Sequence, residues 1–155
     1  MGPVSYTVIH FDRSPGSDAY QLAMPIVYEA GIMIYAEHGQ KLLAWTGKEM
    51  IQKIPSAWDE TRFIEGKPAE YILLARRKGQ DWFVAGMTDQ ARTAVFELDF
   101  LDENCSYAAL IFRDQTQDAM DREIRTVTRA SMLSIPMLQR GGFAMHLSPV
   151  APVAP

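Results

Sequence analysis

EYILLARRKGQDWFVAGM, from Glu70 to Met87, is the stretch whose reading decides the fold. Two apolar-rich runs, Glu70 to Arg76 and Trp82 to Met87, flank Arg77-Lys78-Gly79-Gln80-Asp81. Gly79 there supplies the positive φ that a tight hairpin demands. Downstream, Val95, Glu97 and Asp99 alternate with Phe96, Leu98 and Phe100, giving Thr93 to Phe100 one polar and one apolar face. Asp102-Glu103-Asn104 then reads as a turn. Ser106 to Arg113, Arg122 to Thr128, Met132 to Leu138 and Phe143 to Leu147 continue the series, the last two joined through Arg140-Gly141-Gly142. Seven or eight short strands without a long helix between them predict a mainly β fold, an antiparallel β-sandwich over residues 55–148.

Upstream the character changes. From Asp18 to Lys53 helix formers dominate, with Ser17-Asp18 as the start signal and Gly31, Gly39 and Gly47 dividing the stretch. Leu22, Met24, Ile26, Val27, Tyr28, Ile32, Met33, Ile34 and Tyr35 make the first piece apolar nearly all round. A helix of that kind must be buried on several sides, and nothing else in the first half supplies the surface. The expectation is that it recruits a partner or drives self-association, and that removing residues 1–54 improves the solubility of the remainder. Residues 149–155 form a proline-rich tail.

Composition excludes several classes of function. A net charge of −4 without a clustered basic face argues against nucleic acid. The apolar stretch Leu22 to Ala36 is broken by Pro25 and Glu29 and is shorter than the ~20 residues that span a bilayer, so no membrane partner is expected. No secretory signal is visible at the amino terminus. Cys105 is the only cysteine and has no evident base beside it. His10, His38 and His146 lie in different elements without metal-site spacing, so no metal ligand is assigned.

The carboxylates form no evident acid–base pair. Asp59 and Glu60 are adjacent, and neighbouring strand residues point to opposite faces, which favours a structural role at the domain border. Asp114, Asp118, Asp121 and Glu123 lack the ligand spacing and central glycine of an EF-hand and read as a solvated loop. No catalytic residue is assigned. Aromatic rings can stack on the apolar faces of sugars; of Trp45, Trp58, Trp82 and Tyr107, the carbohydrate-contact candidates are Trp58 and Trp82, against core packing as the commoner fate.

A colinear series of motifs adds to this. Gly2, Pro3, Tyr6 and Thr7 open it, followed by Gln21-Leu22-Ala23, Val27-Tyr28-Glu29, and Pro55 with Trp58-Asp59-Glu60-Thr61. Gly66, Glu70, Tyr71, Ala75-Arg76-Arg77, Gly79, Trp82, Gly86-Met87-Thr88 and Gly141-Gly142-Phe143-Ala144 complete it. In this order they resemble the carboxyl-terminal region of glycoside hydrolase family 97, whose members act on α-glucosides or α-galactosides. Ser5 and Val8 depart from the family's first segment, standing where an acid and a proline are usual. The resemblance implies that residues 1–54 are the last strand and helices of a (β/α)8 catalytic barrel, and that 55–148 are the terminal β-domain. It further implies that the catalytic acids and a calcium ion belong to the parent upstream of Gly2, and that the parent is a periplasmic or exported bacterial enzyme. This chain alone is then expected to be inactive and to need no cofactor, its β-domain packing on the upstream barrel. A free-standing carbohydrate-binding module, with an oligosaccharide as ligand, is the alternative.

Overall fold

The computed structural model describes residues 5–11 and 15–150; Gly2 and Pro3 of the first motif and all but the start of the proline-rich tail lie outside them. Ten strands and three short helices are present among the described residues: β1 (Ser5–Val8), α1 (Asp18–Val27), β2 (Ile32–Tyr35), α2 (Gly39–Ala44), α3 (Lys48–Ile51), then β3 (Glu60–Lys67), β4 (Tyr71–Lys78), β5 (Asp81–Thr88), β6 (Arg92–Glu97), β7 (Ser106–Thr116), β8 (Ala119–Thr128), β9 (Met132–Met137) and β10 (Gly142–Pro149). The fold is mainly β and its two carboxyl-terminal sheets are antiparallel, as the strand pattern predicts.

The central sheet has six strands in the order β3-β4-β5-β10-β7-β8, and β6 pairs with β9 in a second, two-stranded sheet. Between them lies a core of Leu73, Trp82, Val84, Phe96, Leu98, Tyr107, Ile111, Phe143, Met145 and neighbours. That is the expected sandwich. The β4–β5 hairpin closes with Lys78 opposite Asp81, and Gly79 in its turn has φ 59°. Strand β3 escapes the periodicity reading because it is an edge strand with hardly a buried residue and a bulge between Phe63 and Glu65.

The far face of the same sheet is also buried. Leu74, Phe83, Ala85, Met87, Leu110, Phe112 and Ala144 point away from the sandwich and pack on Ala19, Leu22, Ala23 and Ile26 of α1 and on Met50 of α3. The inner strands therefore carry continuous apolar runs, Leu73-Leu74-Ala75 and Trp82-Phe83-Val84-Ala85, as strands covered on both sides do. Strands β6 and β9, covered on one side only, alternate buried and exposed residues.

Two expectations about the first half are corrected here. The apolar stretch is not one helix: α1 ends at Val27, and Ile32–Tyr35 form β2, which pairs parallel to β1 in the register Ser5 to Ile32 through Val8 to Tyr35. A short apolar run is ambiguous between helix and strand, and the β-branched Ile32 and Ile34 tip it toward strand once a partner strand is present. Nor does the helix lack a partner within the chain: Leu22, Ala23 and Ile26 are fully buried against the sheet. The helix thus buries its inner apolar face within the chain, while Tyr20, Met24 and Tyr28 stay only partly covered. The exposed apolar side chains of this half are instead Ile32, Ile34 and Leu43.

Candidate functional site

The motifs that carry the family resemblance are each other's structural partners. Asp59 and Glu60 lie where the chain leaves the helices and enters β3, and both bind the β4–β5 hairpin. The Asp59 amide donates to the Arg77 carbonyl at 2.9 Å, while its carboxylate accepts from Lys78 Nζ at 2.8 Å and from the Gly79 amide at 2.7 Å. Glu60 accepts from Arg77 Nε at 3.0 Å and from Arg62 Nε at 2.7 Å. These donors hold both carboxyls below the usual carboxylate range, led by the Gly79 amide for Asp59 and by Arg62 for Glu60. The pair ties the entry of β3 to the hairpin, a structural role.

Beside it, Trp58 is half-buried, edge-on to Phe83 with ring centroids 5.2 Å apart, and the Arg76 guanidinium lies 5.7 Å from its ring centre. Arg76 is only 4% exposed; its Nη2 donates to the Val27 carbonyl at the carboxyl end of α1, while Nε and Nη1 make no hydrogen bond. Burial lowers its affinity for the proton, opposed by Glu29 at 3.6 Å. Arg76 thus ties the last turn of α1 to β4. We expect Arg76→Ala to cost about 2 kcal/mol, the sum of a capping bond and a desolvated cation–π contact, read as a lower urea midpoint at unchanged m value. Arg76→Met, which keeps the stem packed on Trp58, is expected to cost less.

Trp82 lies on the opposite face of the sheet. It is 3% exposed in the sandwich core, 4.8 Å from the Phe100 ring, so its ring offers no face to a sugar. Trp45 donates its indole N–H to Asp18 at 2.7 Å, and Tyr107 is fully buried with its hydroxyl 3.1 Å from Asp102. The sheet separates Trp58 and Trp82 instead of bringing them together in one cleft.

A second polar junction holds the amino end of α1, and the sequence reading missed it. Asp114 does not sit in a solvated loop. Its Oδ1 accepts from the Ser17 hydroxyl at 2.5 Å, and its Oδ2 accepts the amides of Leu138 and Gly142, each at 2.9 Å. Ser17 in turn accepts from the Tyr20 amide as the cap of α1, and its own amide donates to the Arg140 carbonyl. Burial raises the Asp114 carboxyl above the ordinary range, against the pull of those three donors. Gly141 and Gly142 fit because nothing larger does: a Cβ on Gly141 would lie 2.0 Å from Asp114 Oδ2, and one on Gly142 would lie 2.6 Å from the Gly86 carbonyl. The Gly-Gly-Phe motif is the signal that could have pointed here.

The site is therefore a mechanical one: α1 is clamped at its start by Ser17–Asp114 and at its end by Val27–Arg76. Among the described residues no group of three or more His, Cys, Asp or Glu is arranged to hold a metal ion. His10, His38, His146 and Cys105 are likewise scattered, His146 being bonded to Asp81 at 2.9 Å and Cys105 exposed and free.

A helix clamped onto the outer face of an antiparallel sandwich, and joined to a parallel strand pair, defines a β-domain with a β–α–β unit on its flank. Residues 57–148 match the family described as glycosyl-hydrolase 97 C-terminal, oligomerisation, and the chain belongs to it. It is 32% identical over 150 residues to a probable retaining alpha-galactosidase of Streptomyces bingchenggensis, covering 93% of this chain and 23% of that protein. It is also 32% identical over 138 residues to a retaining alpha-galactosidase of Bacteroides thetaiotaomicron, covering 88% of this chain and 20% of that one. A glycoside hydrolase family 97 enzyme from a Pseudoalteromonas strain, solved with acarbose, superimposes with a TM-score of 0.89 at 28% identity over 97% of this chain and 27% of its own. The chain thus spans about a fifth to a quarter of the length of these relatives and corresponds to their carboxyl-terminal region.

Proposed function

We propose that this chain is the non-catalytic carboxyl-terminal part of a family 97 α-glycosidase, acting on α-galactosides as its curated relatives are named to do, and that it holds the end of the catalytic barrel in place. The observation that carries this is the β1–α1–β2 unit. Its parallel pair has no further strand beside it among the described residues, and Ile32 and Ile34 are 60% and 46% exposed. Two-stranded parallel sheets do not stand alone, because parallel strands need cover on both faces. More parallel strands beside this pair would complete a barrel, and α1, shared between that barrel and the β-domain, would couple the two.

On this reading the catalytic carboxylates and a bound calcium ion lie in the upstream portion of the parent, and the parent is exported. The isolated chain is expected to release no nitrophenol from nitrophenyl α-galactoside or α-glucoside over the background rate. Turnover by pure protein that survives repeated chromatography would overturn the proposal. The alternative reading, a carbohydrate-binding module, requires millimolar or tighter binding on a glycan panel, and the buried Trp82 weighs against it.

A further inference from the structure

The helical flank of the sheet is only partly covered, and the uncovered part has a definite shape. A groove of about 710 Å³ runs along α1 on its β3–β4 side, lined by Tyr20, Val27, Tyr28, Phe63, Tyr71 and Ile72. Phe63 is 67% exposed although it stands opposite Leu74, which packs beneath α1. The charged residues of the lining pair with one another, Lys67 with Glu70 and Arg140 with Asp89, so a polar ligand would find few partners inside.

We propose that this groove is the berth of one α-helix from the catalytic portion of the same enzyme, the helix of the βα unit that precedes β1. The inference rests on the reading of the previous section and adds the place and chemistry of the contact. The direction of the repeat argues for it. After β2 the chain places α3 toward the β8 side of α1, where Glu49 makes a two-pronged pair with Arg122. In a parallel repeat with right-handed crossovers successive helices follow one another in one direction, so the unit before β1 falls on the opposite flank of α1. That flank is the groove.

Its dimensions and lining agree. Tyr20 and Val27 are seven residues apart on α1 and share a face about 10 Å long at 1.5 Å per residue, enough for two turns of a neighbouring helix. The occupant would present an apolar stripe to Tyr20, Val27, Phe63 and Ile72. The interface would continue the existing contact of α1 with Leu74 and Met87.

The test is amide hydrogen exchange on this chain alone and on a chimera in which it replaces the matching 20% of the Bacteroides thetaiotaomicron relative, repeated with that relative's upstream portion added in trans. Exchange over residues 63–72 is expected to slow about 10-fold or more in the joined or mixed protein. Phe63→Glu should abolish that slowing without unfolding the isolated chain, whereas Val95→Glu, on the far β6–β9 sheet, should leave it intact. Slowing at β1–β2 but not at 63–72 would overturn the berth and leave the barrel reading standing. Slowing at neither would overturn both. A dimer of the isolated chain that Phe63→Glu dissolves would overturn the helix as occupant in favour of a second copy.

Discussion

A chain lacking residues 1–54 is expected to aggregate or to fail to fold, in reverse of what composition alone suggests. Deletion strips Leu22, Ala23, Ile26 and Met50 from the sheet and leaves Leu74, Phe83, Met87, Leu110 and Phe112 facing water. Each large apolar side chain so exposed forfeits roughly 1.5–3 kcal/mol, and four or five of them exceed the lower range of a domain's net stability, about 5–15 kcal/mol. The remaining residues would also present a flat apolar sheet face, a ready aggregation surface. Soluble yield and a thermal melt by circular dichroism decide it. A soluble, cooperatively melting fragment would show that α1 belongs to another body and merely rests on this one.

The second large effect is expected at Asp114. Asp114→Ala would leave the Ser17 hydroxyl and the amides of Leu138 and Gly142 without their acceptor in a half-buried place. Orphaned donors cost about 1–3 kcal/mol each, so a loss of about 3 kcal/mol or more is expected after relaxation. Asp114→Asn should cost far less. Its Oδ1 can accept both amides and its amide nitrogen can donate to Ser17 Oγ, so only the Ser17 hydroxyl proton loses its acceptor. Equilibrium urea unfolding of the two variants separates these outcomes; equal losses would mean that the charge of Asp114, and not its acceptor geometry, holds the junction.

Both predictions turn on α1, and there the sequence and the structure part ways. The Arg77–Asp81 turn, the alternation from Val95 to Phe100 and the Gly141-Gly142 turn were legible because each depends on neighbours within a few residues. The adjacency of Asp59 and Glu60 likewise pointed to a structural role. Strand β3 was not legible: an edge strand that buries little has no periodic signature, and its partners are set by the hairpin it joins. Ile32–Tyr35 was misread as helix because a run of four apolar residues has no period of its own. Asp114 looked like loop because nothing in its own segment reveals that Ser17, 97 residues away, donates to it.

By itself, then, the sequence determined the antiparallel sandwich, its turns and the family to which the chain belongs, since these rest on local chemistry and on motif order. Only the tertiary structure decided where α1 goes. The continuous apolar runs of β4, β5, β7 and β10 require a cover on both faces, but a run says that a cover exists and not which segment supplies it. That choice is made by long-range packing and by two polar clamps, Ser17 with Asp114 and Val27 with Arg76, whose members meet only after the chain has folded.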